Sequence, residues 1–306
     1  MRRAVALLVG CVLGAAPAGA APVIAALAPS DDAREVVLVG PAGEVYRPDG
    51  NGGWVRTQPI TTAGMVAHAG RAGGAIVAIA DGIVYRLAAN GWSALRLVQK
   101  GKAVMSTGSR AIAAVGRQLF ALDAAAGGEP TKLAVAPAAV LAIGAGASAL
   151  TIATERGLYR YEGRGFKHVR RAPRRVDRLV GDRWAIVDGA LVELPTGKRP
   201  RLPAGVSLAV AAPGPDGPVA AGSGPDGPVL VRVKAGKVDV TALPATLRGA
   251  TAVGVVADKA GRVLVAFQNG RLVLRDRDAW SEAAVRVELP APRPGRPPAR
   301  EGASAP

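Results

Sequence analysis

Residues 150–169, LTIATERGLYRYEGRGFKHV, decide how the rest of the chain is read. Leu150, Ile152 and Thr154 alternate with Thr151 and Ala153 until Glu155-Arg156-Gly157 interrupts them. Tyr159 and Tyr161 flank Arg160 until Glu162-Gly163-Arg164-Gly165 interrupts again, and Phe166 opens a third run. Period-two alternation between glycine-bearing turns marks half-buried antiparallel strands. The stretch predicts three consecutive strands of a meander.

The same unit recurs along the chain. The strand after each central turn carries one comparable residue: Tyr46, Tyr85, Phe120, Tyr159, Val192, Val231 and Leu274, at spacings of 39, 35, 39, 33, 39 and 43 residues. A second aromatic, Trp54, Trp92, Phe166 or Trp280, follows six to eight positions later in four of the units. A strand also precedes each central turn, as in Ala75 to Ala80, Leu150 to Thr154 and Val263 to Phe267, and Ala/Val-rich runs such as Ala138 to Ile143 lie upstream of these. A period near 38 fits four strands of about five residues with short turns.

Such small sheets bury both faces only by stacking, and a closed ring protects the end sheets. The expected fold is all-β, a seven-bladed β-propeller of four-stranded antiparallel blades. Its blades fall near 22–57, 64–98, 102–134, 138–170, 175–203, 206–244 and 251–288, each complete in sequence order. The ring is expected to close by packing of blade seven on blade one, without a borrowed strand. A helical solenoid needs 3.6-residue periodicity, which is missing, and a sandwich gives no reason for seven matched positions.

Composition agrees. Hydrophobic residues make up 49% of the 306 but aromatics only 4%, so Ala and Val carry the apolar load. Ala/Val/Gly-rich strands are expected at the crowded axis, with Tyr and Trp further out between diverging blades. Leu133 to Ala153 has no charge over the length of a membrane span, but Pro137, Gly144 and Gly146 interrupt it at turn spacing. It reads as an outer strand, an inner strand and part of the next. Ala212 to Pro228, with two Gly-Pro-Asp-Gly-Pro elements, is expected to form longer loops on blade six. Pro290 to Pro306 has the composition of a disordered tail.

Met1-Arg2-Arg3, the apolar run Ala4 to Leu13 and Ala18-Gly19-Ala20 form the pattern of a secretory signal peptide cleaved after residue 20. The mature chain is then periplasmic or secreted and has no thiol, which excludes disulfides and Cys-ligated metals. The alternative is Leu8-Val9-Gly10-Cys11 as a lipobox, with Cys11 as a lipid anchor.

The formal charge is +16. An anionic partner is one explanation, and the Arg/Ala/Gly/Pro bias of the whole chain is another. The densest basic segment, KHVRRAPRRVDRLVGDR, offers Lys167, Arg170, Arg171, Arg174, Arg175 and Arg178 as a candidate site for an anionic partner. Guanidiniums there suit lipid headgroups, lipopolysaccharide or an acidic protein face. No aromatics are interleaved, which argues against nucleic acid.

No catalytic residues or resident metal are expected. His68 and His168 belong to different blades, and no nucleophile elbow, phosphate loop, H-E-x-x-H or calcium loop occurs. Asp81, Asp188 and Asp258 read as turn-shaping residues.

Thr154 to Val169 resembles the two-component-regulator propeller repeat, in which Gly-Leu-Tyr-Arg-Tyr is followed by Gly and an aromatic. Leu-Phe-Ala-Leu-Asp-Ala-Ala-Ala-Gly-Gly-Glu, residues 119–129, resembles the PQQ-type propeller repeat, which also builds the lipoprotein propeller of the barrel-assembly machinery. Each resemblance covers one blade. The first implies ligand sensing, and the second implies a quinone cofactor in some members. The chain lacks the regular tryptophans of that repeat, and no cofactor is expected. Together these features suggest an exported, non-catalytic scaffold that binds an envelope protein or an anionic surface. The alternatives are a lactonase-like hydrolase with a channel metal and a ligand sensor acting in trans.

Overall fold

The computed structural model describes residues 23–30, 32–51, 53–58, 65–72, 75–88, 91–95, 97, 103–106, 111–122, 129–146, 149–169, 176–283 and 285–286. They form seven sheets, antiparallel within each blade and joined at the first by one late parallel strand, a seven-bladed β-propeller. Blade one contains β1 (Ala26–Ala28), β2 (Val37–Val39), β3 (Val45–Pro48) and β4 (Trp54–Gln58). Blade two contains β5 (Val66–Ala72), β6 (Ala75–Ala80), β7 (Ile83–Ala88) and β8 (Gly91–Ala94). Blade three contains β9 (Ala103–Met105), β10 (Ile112–Val115), β11 (Gln118–Ala121) and β12 (Thr131–Val135). Blade four contains β13 (Val140–Ala145), β14 (Leu150–Thr154), β15 (Gly157–Tyr161) and β16 (Phe166–His168).

Blade five has three strands, β17 (Arg178–Val180), β18 (Trp184–Val187) and β19 (Ala190–Glu193). A lone bridge from Glu193 to Lys198 stands where its fourth strand would run. Blade six contains β20 (Ser207–Pro213), β21 (Pro218–Gly224), β22 (Gly227–Lys234) and β23 (Lys237–Ala242). Blade seven contains β24 (Ala252–Ala257), β25 (Val263–Phe267), β26 (Leu272–Asp276) and β27 (Ala279–Ala283). A last strand, β28 (Val285–Arg286), leaves blade seven.

Among the described residues the buried apolar side chains fall into seven clusters, one at each interface between neighbouring blades. This accounts for the period-two pattern, because each blade must be apolar on both faces. The recurring third-strand residues Tyr46, Tyr85, Tyr159, Val192 and Val231 all pack toward the preceding blade. Leu274 does not, and belongs to the interface with blade one. Its neighbour Val273, which pairs with Val265 and packs toward blade six, is the true equivalent. The hairpin before it closes from Phe267 to Arg271, as that of blade one closes from Gly40 to Glu44, and Val273 stands two residues past this closure as Tyr46 does. A one-residue shift exchanges the two faces of a strand. With Val273 in place the aromatics also align: Trp54, Trp92, Phe166 and Trp280 lie opposite Pro48, Leu87, Tyr161 and Arg275, two residues beyond the marker in each blade.

Two further expectations are corrected. Ala212 to Pro228 does not form long loops. Pro213 pairs with Pro218 and Gly224 with Gly227, so the Pro-Asp-Gly elements are compact turns joining the longer strands of blade six. Ring closure also uses a strand after all. β28 pairs in parallel with β4 at the outer edge of blade one, matching Val285 to Trp54 and Arg286 to Val55. Leu133 to Ala153 runs through β12, β13 and into β14, and no helix among the described residues is long and apolar enough to cross a membrane.

The seam between blades seven and one is fastened by polar groups too. The buried Asp258 carboxylate accepts the Ala33 N–H at 3.1 Å, the Arg262 N–H at 2.9 Å and the Arg262 Nε–H at 2.7 Å. Arg262 also meets Asp32 of blade one at 2.9 Å, and Arg34 reaches back to Asp276. Burial alone would raise the Asp258 pKa, but these hydrogen bonds and the Arg262 charge hold it below the usual carboxylate value.

Candidate ligand channel and binding face

The first strand of every blade runs beside the axis, and these strands are short of large side chains: ALA, VAHAGRA, AVM, VLAIGA, RLV, SLAVAAP and AVGVVA. Small residues let the strands converge. A Cβ added to Gly144 would stand 1.9 Å from the Gly181 carbonyl of the next blade. Convergence stops short of closure and leaves an axial cavity of about 720 Å³, lined by residues from all seven blades.

Strand register places one residue of each blade at the same height: Ala26, His68, Val104, Ala142, Arg178, Val210 and Gly254. In blades two, four, six and seven this residue follows a register shift, at Ala67, Leu141, Ala209 and Val253. A bulge of this kind re-aims the next side chain. Only His68 and Arg178 in the set are polar, and both line the cavity. Blades two and five stand three apart in a ring of seven, so the two side chains approach from opposite walls. Burial lowers the His68 pKa, and the Arg178 charge lowers it further. Burial also lowers the pKa of Arg178. Neither side chain makes a hydrogen bond or ion pair among the described residues.

The expected basic cluster is divided by this arrangement. Lys167 lies exposed on β16, the outer strand of blade four, 3.7 Å from Glu162. Arg178 lies on the innermost strand of blade five. Arg170, Arg171, Arg174 and Arg175 lie outside the described residues. His168 packs edge-on against Tyr159 on blade four, far from the axis, so the two histidines are not brought together. No group of three or more potential metal ligands occurs among the described residues. Asp81 and Asp188 adopt φ of 47° and 51°, each followed by a glycine at positive φ, and shape two-residue hairpin turns. Sequence reasoning weighed His68 only against His168 and missed that it stands level with Arg178. Aligning VAHAGRA with RLV by strand register would have found it.

The antiparallel order puts the starts of all inner strands and the turns between second and third strands on one face, here the upper face. Met65, Ile83 and Leu141 lie there, 70%, 44% and 56% exposed. The chain also leaves β16 at Val169 and resumes before β17 at Val176 on this face.

No protein-family model matches the chain, and no curated protein matches it. Solved structures do match. The WD40 propeller domain of Doa1 superposes with a TM-score of 0.57 at 15% identity, over 85% of this chain and 94% of that one. YCF48 from Cyanidioschyzon merolae gives 0.58 at 16% identity, over 84% and 96%. PorZ, a surface component of the type-IX secretion system of Porphyromonas gingivalis, gives 0.55 at 13% identity; 88% of this chain covers 39% of PorZ. At these identities the likeness establishes the fold and leaves function to the site.

Proposed function

We propose that this chain is an exported, non-catalytic propeller that serves as a scaffold in the cell envelope and grips a protein partner with its upper face. The observation that carries this reading is the exposure of Met65, Ile83 and Leu141 on that face. Large apolar side chains held in water by rigid strands and turns suit a protein interface. Arg170, Arg171, Arg174 and Arg175, in the segment joining β16 to β17, add positive charge that selects an acidic partner and speeds encounter. Export is read from the N-terminal sequence, and the mature N-terminus distinguishes a free chain beginning at Ala21 from one tethered through Cys11.

Affinity capture from an envelope extract tests the reading. The expected partner is retained by the wild-type chain and by Leu133→Asp, which alters the outer strand of blade three. It is lost with Met65→Asp/Ile83→Asp/Leu141→Asp, and it elutes at lower salt from Arg170/Arg171/Arg174/Arg175→Ala. Equal capture by all four proteins, or none by the wild type, overturns the proposal.

A further inference from the structure

We infer that the central channel binds a small molecule through an oxyanion head, a carboxylate or a phosphate, held between Arg178 and His68. The argument is independent of the upper-face reading. One residue per blade stands at this height, five of the seven being Ala, Val or Gly, and Val104 and Ala142 pack between blades rather than against the cavity. The two exceptions, Arg178 and His68, come from opposite walls and bring one permanent cation and one imidazole. A guanidinium drawn out of bulk water is costly unless an anion accompanies it. The other charged groups on the cavity wall do not supply one to Arg178. Asp182 is engaged by Arg160 at 3.3 Å, no ion pair joins Glu35 to Arg178, and Arg71 is a second permanent cation, donating to the Glu35 carbonyl at 3.0 Å.

An oxyanion between the two side chains satisfies both. The planar guanidinium donates two parallel N–H groups to two oxygens, and the imidazole donates one more. Ala26, Val210, Val255 and Gly254 give the wall an apolar strip for a small hydrocarbon body, beside the polar groups of Ser30, Glu35, Arg71, Ser106 and Asp182. At about 720 Å³ the cavity lies within the range of small-molecule sites.

The test uses the full chain, with inorganic phosphate, acetate and benzoate as probes against sodium chloride at matched ionic strength. Calorimetric titration and thermal unfolding are expected to show saturable binding and a raised Tm for at least one probe. A response to phosphate alone assigns a phosphate head, and a response to acetate or benzoate assigns a carboxylate. Arg178→Leu is expected to weaken that binding by at least about tenfold, the scale of one charge-assisted hydrogen bond. Met65→Asp/Ile83→Asp/Leu141→Asp is expected to leave it unchanged, which separates this site from the upper face. The chain has only two histidines, so proton NMR adds a readout that needs no variant. The His68 resonances should move with the probe while those of His168 stay fixed. No response above chloride, equal movement of both histidines, or full binding by Arg178→Leu overturns the inference.

Discussion

Asp258 shows how much one side chain can carry. It accepts three hydrogen bonds, and one comes from Ala33, 225 residues away in sequence. Asp258→Ala is expected to cost about 3 kcal/mol in urea unfolding, the lower end for breaking a buried pair, because Arg262 keeps Asp32. Its folded pKa lies below the unfolded one, so its contribution is full above about pH 4 and is lost as pH falls through the folded value. His68 acts in the same direction for the opposite reason. Its folded pKa also lies below the unfolded one, but here because burial and the Arg178 charge disfavour the protonated ring, and the loss begins as pH drops below about 6.5. Stability should therefore decline from that pH downward, and His68→Gln should flatten the decline in a series of unfolding curves. The sequence marked Asp258 as a turn residue, which is correct locally. Its partner across the seam was not legible, because nothing in a linear pattern signals a hydrogen bond between the first and last blades. Arg178 was noticed for its charge but grouped with its sequence neighbours, whereas the strand it begins carries it to the axis.

The elements themselves were largely legible. β6, β14 and β25 run between the residues that alternation and turn signals mark, because both faces of each are buried and the Asp-Gly, Glu-Arg-Gly and Asn-Gly breaks are sharp. Val273 was misread as Leu274 because RLVLR is apolar at both Leu272 and Leu274, and alternation alone does not say which face of the strand meets blade six. The register shifts in the inner strands were not legible either, since a bulge adds one residue without altering composition. Close approach of inner strands gives a sharp test. Gly144→Ala would drive a methyl group into the Gly181 carbonyl and Leu179, and is expected to cost about 3 kcal/mol, the upper end for overpacking. Thermal unfolding measures it, and a neutral result would mean that β13 and β17 can move apart freely. Trp54 is buried and donates its indole N–H to the Val36 carbonyl at 2.7 Å. Trp54→Phe should lose about 1–3 kcal/mol by leaving that acceptor unpaired.

At the scale of the molecule, the seven interfaces are alike in kind but not in closure. Six join blades that follow one another in the chain, and the seventh must be held by side chains and by β28. Deleting Val285 onward is expected to lower Tm by a few degrees, since each 1 kcal/mol moves Tm by about 2–4 °C in chains of 150–250 residues or a little less here. Calorimetry should still show one cooperative transition, because the apolar cluster and the Asp258 contacts remain. Splitting into two transitions would show that the strand, and not the packing, holds the circle shut. The position of that strand also decides where added cargo would travel. Among the described residues, Ala25 and Ala26 border the cavity at the hub, and Arg286 lies at the rim beside Val55. A fluorophore attached at Arg286 would therefore ride at the periphery and leave the hub unobstructed, whereas one attached at Ala25 would crowd it.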